Sequence, residues 1–221
     1  VTNSTPSITL PNTATHPHFQ SNRLQVFLPT SAVNGSADTT QNTSNLTFSI
    51  TGVTFDPDGT PSNSSTHAAK FSINSANGAV AIAGHRFPAS KVGKKYRITV
   101  QVNDNSGQTN NVASDTCDVE IGLWQAYTNT LYASSPAGVC NTLCNNSPSD
   151  TFFIKRPDSV TVDSLTVQVG DLVFTDAAGT TSAGNKAIIT NNMFDGTHDV
   201  VTGGTVQSVG EDNGCTGFPC P

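Results

Sequence analysis

Charge is scarce in this sequence. Asp, Glu, Lys and Arg make up 12% of 221 residues, and aromatics only 7%. Strong helix formers are as thin, with a single Met and five Leu after Leu46, which argues against long helices. No apolar run approaches the roughly 18 residues of a membrane-crossing helix, so no membrane span is expected. One Trp and three Tyr are too few for the exposed aromatic platform that sugar-binding modules use. The net charge of −6 gives no electrostatic reason to hold nucleic acid or an anionic membrane.

That charge is unevenly placed. Residues 1–122 carry seven Lys/Arg against seven Asp/Glu, whereas residues 123–221 carry three against nine. Lys91, Lys94, Lys95 and Arg97 form the one basic patch, read as a solvated loop.

Catalytic signatures are also missing. There is no Gly-x-Ser-x-Gly elbow, phosphate loop or dinucleotide fingerprint. His16 and His18 lack a third metal ligand and read as surface polar residues. His198 stands beside Asp195 and Asp199, which could orient an imidazole. Asp158, Asp163, Asp171 and Asp176 read as turn carboxylates rather than glycosidase acids. The expectation is a protein that is not an enzyme and has no cofactor.

What is abundant is Thr and Ser, 54 residues together, and Asn, 21. Thr favours strands, while Asn, Ser and Gly serve turns, so an all-β fold is expected. Residues 1–22 lack alternation and read as an extended arm or linker. From residue 23 to 122, alternation recurs at Leu24/Val26/Leu28, Leu46/Phe48/Ile50, Phe71/Ile73, Val80/Ile82, Tyr96 to Val102, and Cys117 to Leu123. About seven strands in about 100 residues, with a turn at Asn77-Gly78, predict a β-sandwich. Residues 123–221 form a second, small β domain bracketed by four Cys.

The segments LTFSITG, FSINSANGAVAIAG and YRITVQVNDNSG resemble cadherin-like and bacterial Ig-like repeats, best over residues 46–107. Cadherin repeats bind calcium through acidic groups from several loops, and the resemblance makes Asp56, Asp58 and Asp104 the candidate ligands. Six to eight oxygens are needed, and HRFPAS, NDN and EIGLWQ supply few carboxylates. Asn103 to Gly107 therefore reads as a turn, with calcium the weaker reading.

In the second domain, LYASSPAGVC, VGDLVFTDAAGTT and GGTVQSVGEDNGC resemble a Cys-bracketed β module of phage tail and fibre proteins and of bacterial surface proteins. Cys117 reads as a buried, inert thiol. For Cys140, Cys144, Cys215 and Cys220, disulfides, a zinc site and free thiols are the alternatives. The resemblance implies pairing of Cys140 with Cys215, leaving Cys144 with Cys220. Closing a span of about 75 residues would contribute about 4 kcal/mol.

Together these readings imply a non-enzymatic structural or adhesive protein, located in a virion or at an extracellular or cell surface. A bacteriophage tail, fibre or capsid-surface appendage is the leading expectation. Its partners would be other structural subunits in a homo-oligomer or larger assembly. The alternative is a bacterial adhesin or filament subunit that binds a cell-surface receptor, host glycan or matrix.

Overall fold

A computed structural model describes residues 5–21, 25–35, 46–106, 109–145, 149–189 and 197–212. The chain divides into two compact units. Residues 1–16, 20–87 and 91–121 form the first, and residues 17–19, 88–90 and 122–221 the second.

The first unit is a β-sandwich. Its strands are β1 (Ser7–Thr9), β2 (Thr13–Pro17), β3 (Gln25–Phe27), β4 (Ser31–Val33), β5 (Thr47–Phe55), β6 (Ser62–Asn63), β7 (Phe71–Ile73), β8 (Val80–Ile82), β9 (Lys95–Asn103) and β10 (Val112–Gly122). A short helix, α1 (Ser65–Ala68), precedes β7, and Ser64 caps it by accepting from Thr66 N–H. One sheet runs β2-β10-β9-β5-β6, a second β3-β8-β7, and β1 pairs with β4. The two larger sheets share one core. Strand β9 alternates strictly, burying Tyr96, Ile98, Val100 and Val102. Its neighbour β10 buries Cys117, Val119 and Ile121, while Phe71, Val80 and Ile82 close the core from the second sheet. On the outward face Arg97 sits directly across from Asp118 and donates two hydrogen bonds to its carboxylate, at 2.7 and 2.8 Å.

Of the arm expected over residues 1–22, the described residues 5–21 are instead part of the fold. Strand β2 lines the edge of the five-stranded sheet, and Leu10 is buried. Strands of three and five residues, rich in Thr and Pro, are too short for alternation to register in sequence. His16 and His18, expected at the surface, are 2% and 0% exposed. His16 occupies the inward parity of β2 with Ala14, bonds the Gln20 carbonyl through Nε2 at 2.9 Å, and packs edge-on to Phe87.

The second unit is a closed six-stranded barrel. It is built from β11 (Trp124–Ala133), β12 (Asp150–Lys155), β13 (Leu172–Phe174), β14 (Lys186–Ile189), β15 (Thr197–Thr202) and β16 (Thr205–Asp212), in the order β11-β12-β13-β16-β15-β14. Closure removes free sheet edges. Tyr127, Phe152, Ile154, Val173, Ile188, Val201 and Val206 fill its interior. A second helix, α2 (Val139–Asn145), brings Val139 against Leu131, Ala133, Ala187 and Ile189. This explains the apolar run Ala187-Ile188-Ile189 in β14: it is covered on both faces.

Candidate functional site

The carboxylates proposed for calcium do not converge. Asp56 donates its N–H to the Lys95 carbonyl at the start of β9, whereas Asp104 follows the end of that strand. Nine strand residues separate the two ends by roughly 30 Å, too far for one ion. Asp56 and Asp58 already face cations. Lys94 Nζ lies 2.8 Å from Asp56, and Lys95 Nζ 3.1 Å from Asp58. The hydrogen bond from Lys94 holds the Asp56 carboxyl below its ordinary range, and Asp58 raises the Lys95 ammonium above its own.

At the other end of β9, Asn103 Oδ1 accepts from Asn105 N–H at 2.7 Å and Asp104 Oδ1 from Ser106 N–H at 3.0 Å. Asn105 takes a left-handed φ of 55°. These are Asx turns. Asp104 is fully buried, and its Oδ2 has no hydrogen-bond partner among the described residues. Among those residues, no group of three His, Cys, Asp or Glu side chains could hold a metal ion.

The polar centre of the second unit is one the sequence reading passed over. Arg156, one residue past β12, continues the inward parity of Phe152 and Ile154, and Asp171, one residue before β13, that of Val173, so both charged groups point inside. Both are 0% exposed and form an ion pair. All five guanidinium N–H donors are used. Nε and Nη2 grip the two Asp171 oxygens at 2.8 and 2.7 Å. Nη1 donates to the Val162 and Ser164 carbonyls at 2.8 and 2.9 Å, and Nη2 to the Thr166 carbonyl at 2.7 Å. Phe19 stacks 4.2 Å from the guanidinium carbon, and His18 Nε2 accepts from Arg156 N–H at 3.1 Å. Phe19 in turn meets Trp124 edge to face.

This clamp accounts for a stretch without strands. The segment VTVDSLTVQV is rich in Val and Thr, yet no strand lies between Lys155 and Leu172. Its carbonyls at 162, 164 and 166 go to a side chain in place of a neighbouring strand. Val162, Leu165 and Val169 are left exposed. Asp171, expected in a turn, is the buried counter-ion.

Other polar groups serve the same end of fixing loops. Tyr127 donates from its hydroxyl to Asp199 Oδ2 at 2.7 Å, and Asp199 Oδ1 accepts from Gly210 N–H at 2.8 Å. These bonds take both Asp199 oxygens; Asp195 lies outside the described residues. Asp158 accepts from Ala89 N–H at 2.9 Å. Asp176 accepts from Thr180 N–H and Oγ1 and from Thr181 N–H, tying the DAAGTT loop. Those backbone bonds pull its carboxyl down to about 2 from 3.8. Because the folded-state value is depressed, the stabilisation is complete above the unfolded value and disappears as pH falls through about 2. In acid unfolding, the stability difference between wild type and Asp176→Ala should close over that window; a constant difference would show that the bonds do not depend on ionisation.

Cys117 is a free, buried thiol, pushed by desolvation to about 12. It should resist thiol reagents in the native protein and react on unfolding, as a colorimetric thiol assay would show. Cys140 is disulfide-bonded. The side chains of Cys144, Cys215 and Cys220 lie outside the described residues, and so does the pairing.

No protein-family model and no curated protein matches the chain. Among solved structures it is similar to the extracellular cadherin domains 3–6 of protocadherin gamma B2, at 15% identity and a TM-score of 0.43, covering 60% of this chain and 28% of that one. Mouse cadherin-23 domains 22–24 match at 14% identity and a TM-score of 0.40, over 94% of this chain and 56% of that one. Human protocadherin-24 domains 1–2 match at 14% and 0.36, over 92% and 64%. The chain thus spans less than two thirds of each. Overlaps this loose carry no argument about what it binds; the sandwich and the barrel follow from sheet order and shared cores.

Proposed function

We propose that this chain is a non-enzymatic structural and adhesive component of an extracellular assembly, specifically a bacteriophage virion part such as a tail, fibre or capsid-surface appendage. It works without a resident cofactor, its partners are other structural subunits, and disulfides from Cys140, Cys144, Cys215 and Cys220 bracket its second domain. The observation that carries this reading is the Arg156–Asp171 clamp. A fully bonded buried ion pair is committed to holding a surface loop still while Val162, Leu165 and Val169 face outward. A contact loop ordered in advance loses little entropy on docking, which suits repeated subunit contacts.

The test is peptide mass spectrometry on density-banded particles and, separately, on cell envelopes from the source. Recovery at many copies per particle is expected. Recovery with envelopes alone would discard the virion assignment and leave a surface adhesin or filament subunit.

A further inference from the structure

The basic patch of the first unit splits in two. Lys94, Lys95 and Arg97 face Asp56, Asp58 and Asp118. Lys91 instead lies 4.1 Å over the Phe55 ring and makes no ion pair among the described residues. It belongs with a second group. Lys70 precedes β7, where its carbonyl accepts from Ala83 N–H. That pairing brings Lys70 Nζ to 3.0 Å from His85 Nε2. Lys70 likewise has no carboxylate partner among the described residues. His67, on α1, packs 5.5 Å from Phe55 and bonds the Ser62 hydroxyl at 3.2 Å.

An ammonium can only donate, so His85 accepts at Nε2 and carries its proton on Nδ1. A lysine that bonds a neutral imidazole while its neighbours find carboxylates is a cation without a counter-charge. The charges acting on His67 are Lys70 and Lys91, and the charge acting on His85 is Lys70. Burial first, and these ammoniums second, lower both imidazoles, while burial and then Lys91 lower Lys70. The charges acting on Lys70, His67 and His85 are thus positive, while Lys91 also acts on Asp56; all four groups are partly exposed.

We propose that Lys70, Lys91, His67 and His85 form a binding site for a single oxyanion carried on an acidic sugar. One anionic group would replace His85 as the acceptor for Lys70. The chain's net charge of −6 opposes extended polyanions such as nucleic acid but not one sulfate or carboxylate beside these ammoniums. Protonating His85 adds a second cation about 3 Å from the first, so binding of a sulfate ester tightens as pH falls. The site is independent of the assembly role, because particle localisation neither requires nor forbids it.

The experiment is calorimetric titration of the full chain with a monosulfated disaccharide and with its desulfated form. Imidazole NMR during titration with inorganic sulfate accompanies it. Sulfated sugar should bind, desulfated sugar at least about tenfold more weakly, and affinity should rise between about pH 7 and about pH 5. Lys70→Gln should lose about tenfold or more. Lys94→Gln, whose ammonium is paired with Asp56, should change less than about twofold. Inorganic sulfate should move the same His85 resonances at higher concentration. If sulfate moves them and the sugar binds no tighter, the anion site stands and the sugar assignment falls. Equal losses in the two variants at unchanged melting temperature, or His85 resonances that stay still, would overturn the site itself.

Discussion

Arg156→Met should destabilise the protein by about 3–5 kcal/mol, the loss expected when one partner of a buried ion pair is removed. The reason lies in what is left behind. Asp171 would remain fully buried with two oxygens stripped of their guanidinium donors, and the Val162, Ser164 and Thr166 carbonyls would lose theirs. Of the five donors, only a guanidinium can reach all these acceptors at once in a planar fork. Arg156→Lys should therefore recover little. Urea unfolding followed by Trp124 fluorescence would measure the loss, because the chain's one Trp packs against Phe19, which itself stacks on Arg156. A loss below about 1 kcal/mol, the range of an exposed pair, would show that water reaches the site.

A double variant separates the two costs. Arg156→Met with Asp171→Leu removes the stranded carboxylate and should return part of the stability, since apolar replacement of a buried pair is often neutral. It cannot supply donors to the three carbonyls. The loop from Pro157 to Gly170 should then open to water, and its amides should exchange faster even where global stability has recovered. Recovered stability with unchanged exchange would mean the loop is held by its own contacts and not by the arginine.

The fold was legible where burial acts on one face of a long strand. Tyr96, Ile98, Val100 and Val102 alternate because β9 is central, flanked by β5 and β10, with one face on the core. Strands β1 and β2 were not legible, since their pairing is set by Leu10, His16 and main-chain bonds rather than by repeated apolar positions. The barrel in place of a generic small β domain was hidden too. Closure depends on which strand meets β11 from each side, and β12 and β14 begin 26 and 62 residues after Trp124.

The polar centre was half visible. Parity alone places Arg156 with Phe152 and Ile154, and Asp171 with Val173. Polar identity hid what position disclosed, because a charged residue at an inward position is ordinarily discounted. The Val- and Thr-rich VTVDSLTVQV forms no strand, because three of its carbonyls bond a side chain. His16 and His18 read as surface residues because no third metal ligand accompanies them, and their stretch has no alternation to show that they face inward. The candidates Asp56, Asp58 and Asp104 illustrate a different limit: nearness in sequence to one strand says nothing of which end each occupies.

Gly78→Ala should cost about 2–5 kcal/mol, the sum of two separable penalties. Gly78 has a φ of +74° in the loop joining β7 to β8, and forcing an alanine into left-handed backbone costs about 1–2 kcal/mol. A Cβ there would also stand 2.7 Å from Pro29 Cγ and 2.9 Å from Phe48 Cδ1. Neither ring can swing away as a flexible chain end would, and overpacking adds about 1–3 kcal/mol. The Gly78 N–H bonds the Asn74 carbonyl at 2.8 Å, and Asn77 Oδ1 accepts from Ala79 N–H at 3.0 Å, so the turn cannot shift without losing both. Gly84 supplies the control. Its φ of +66° is nearly the same, but a Cβ there meets nothing within 4 Å. Gly84→Ala should therefore show the backbone penalty alone, and the difference between the two variants in calorimetric stability isolates the packing against Phe48 and Pro29. Equal losses would mean that those rings yield, and that the sandwich core near this turn is softer than its buried, alternating strands imply.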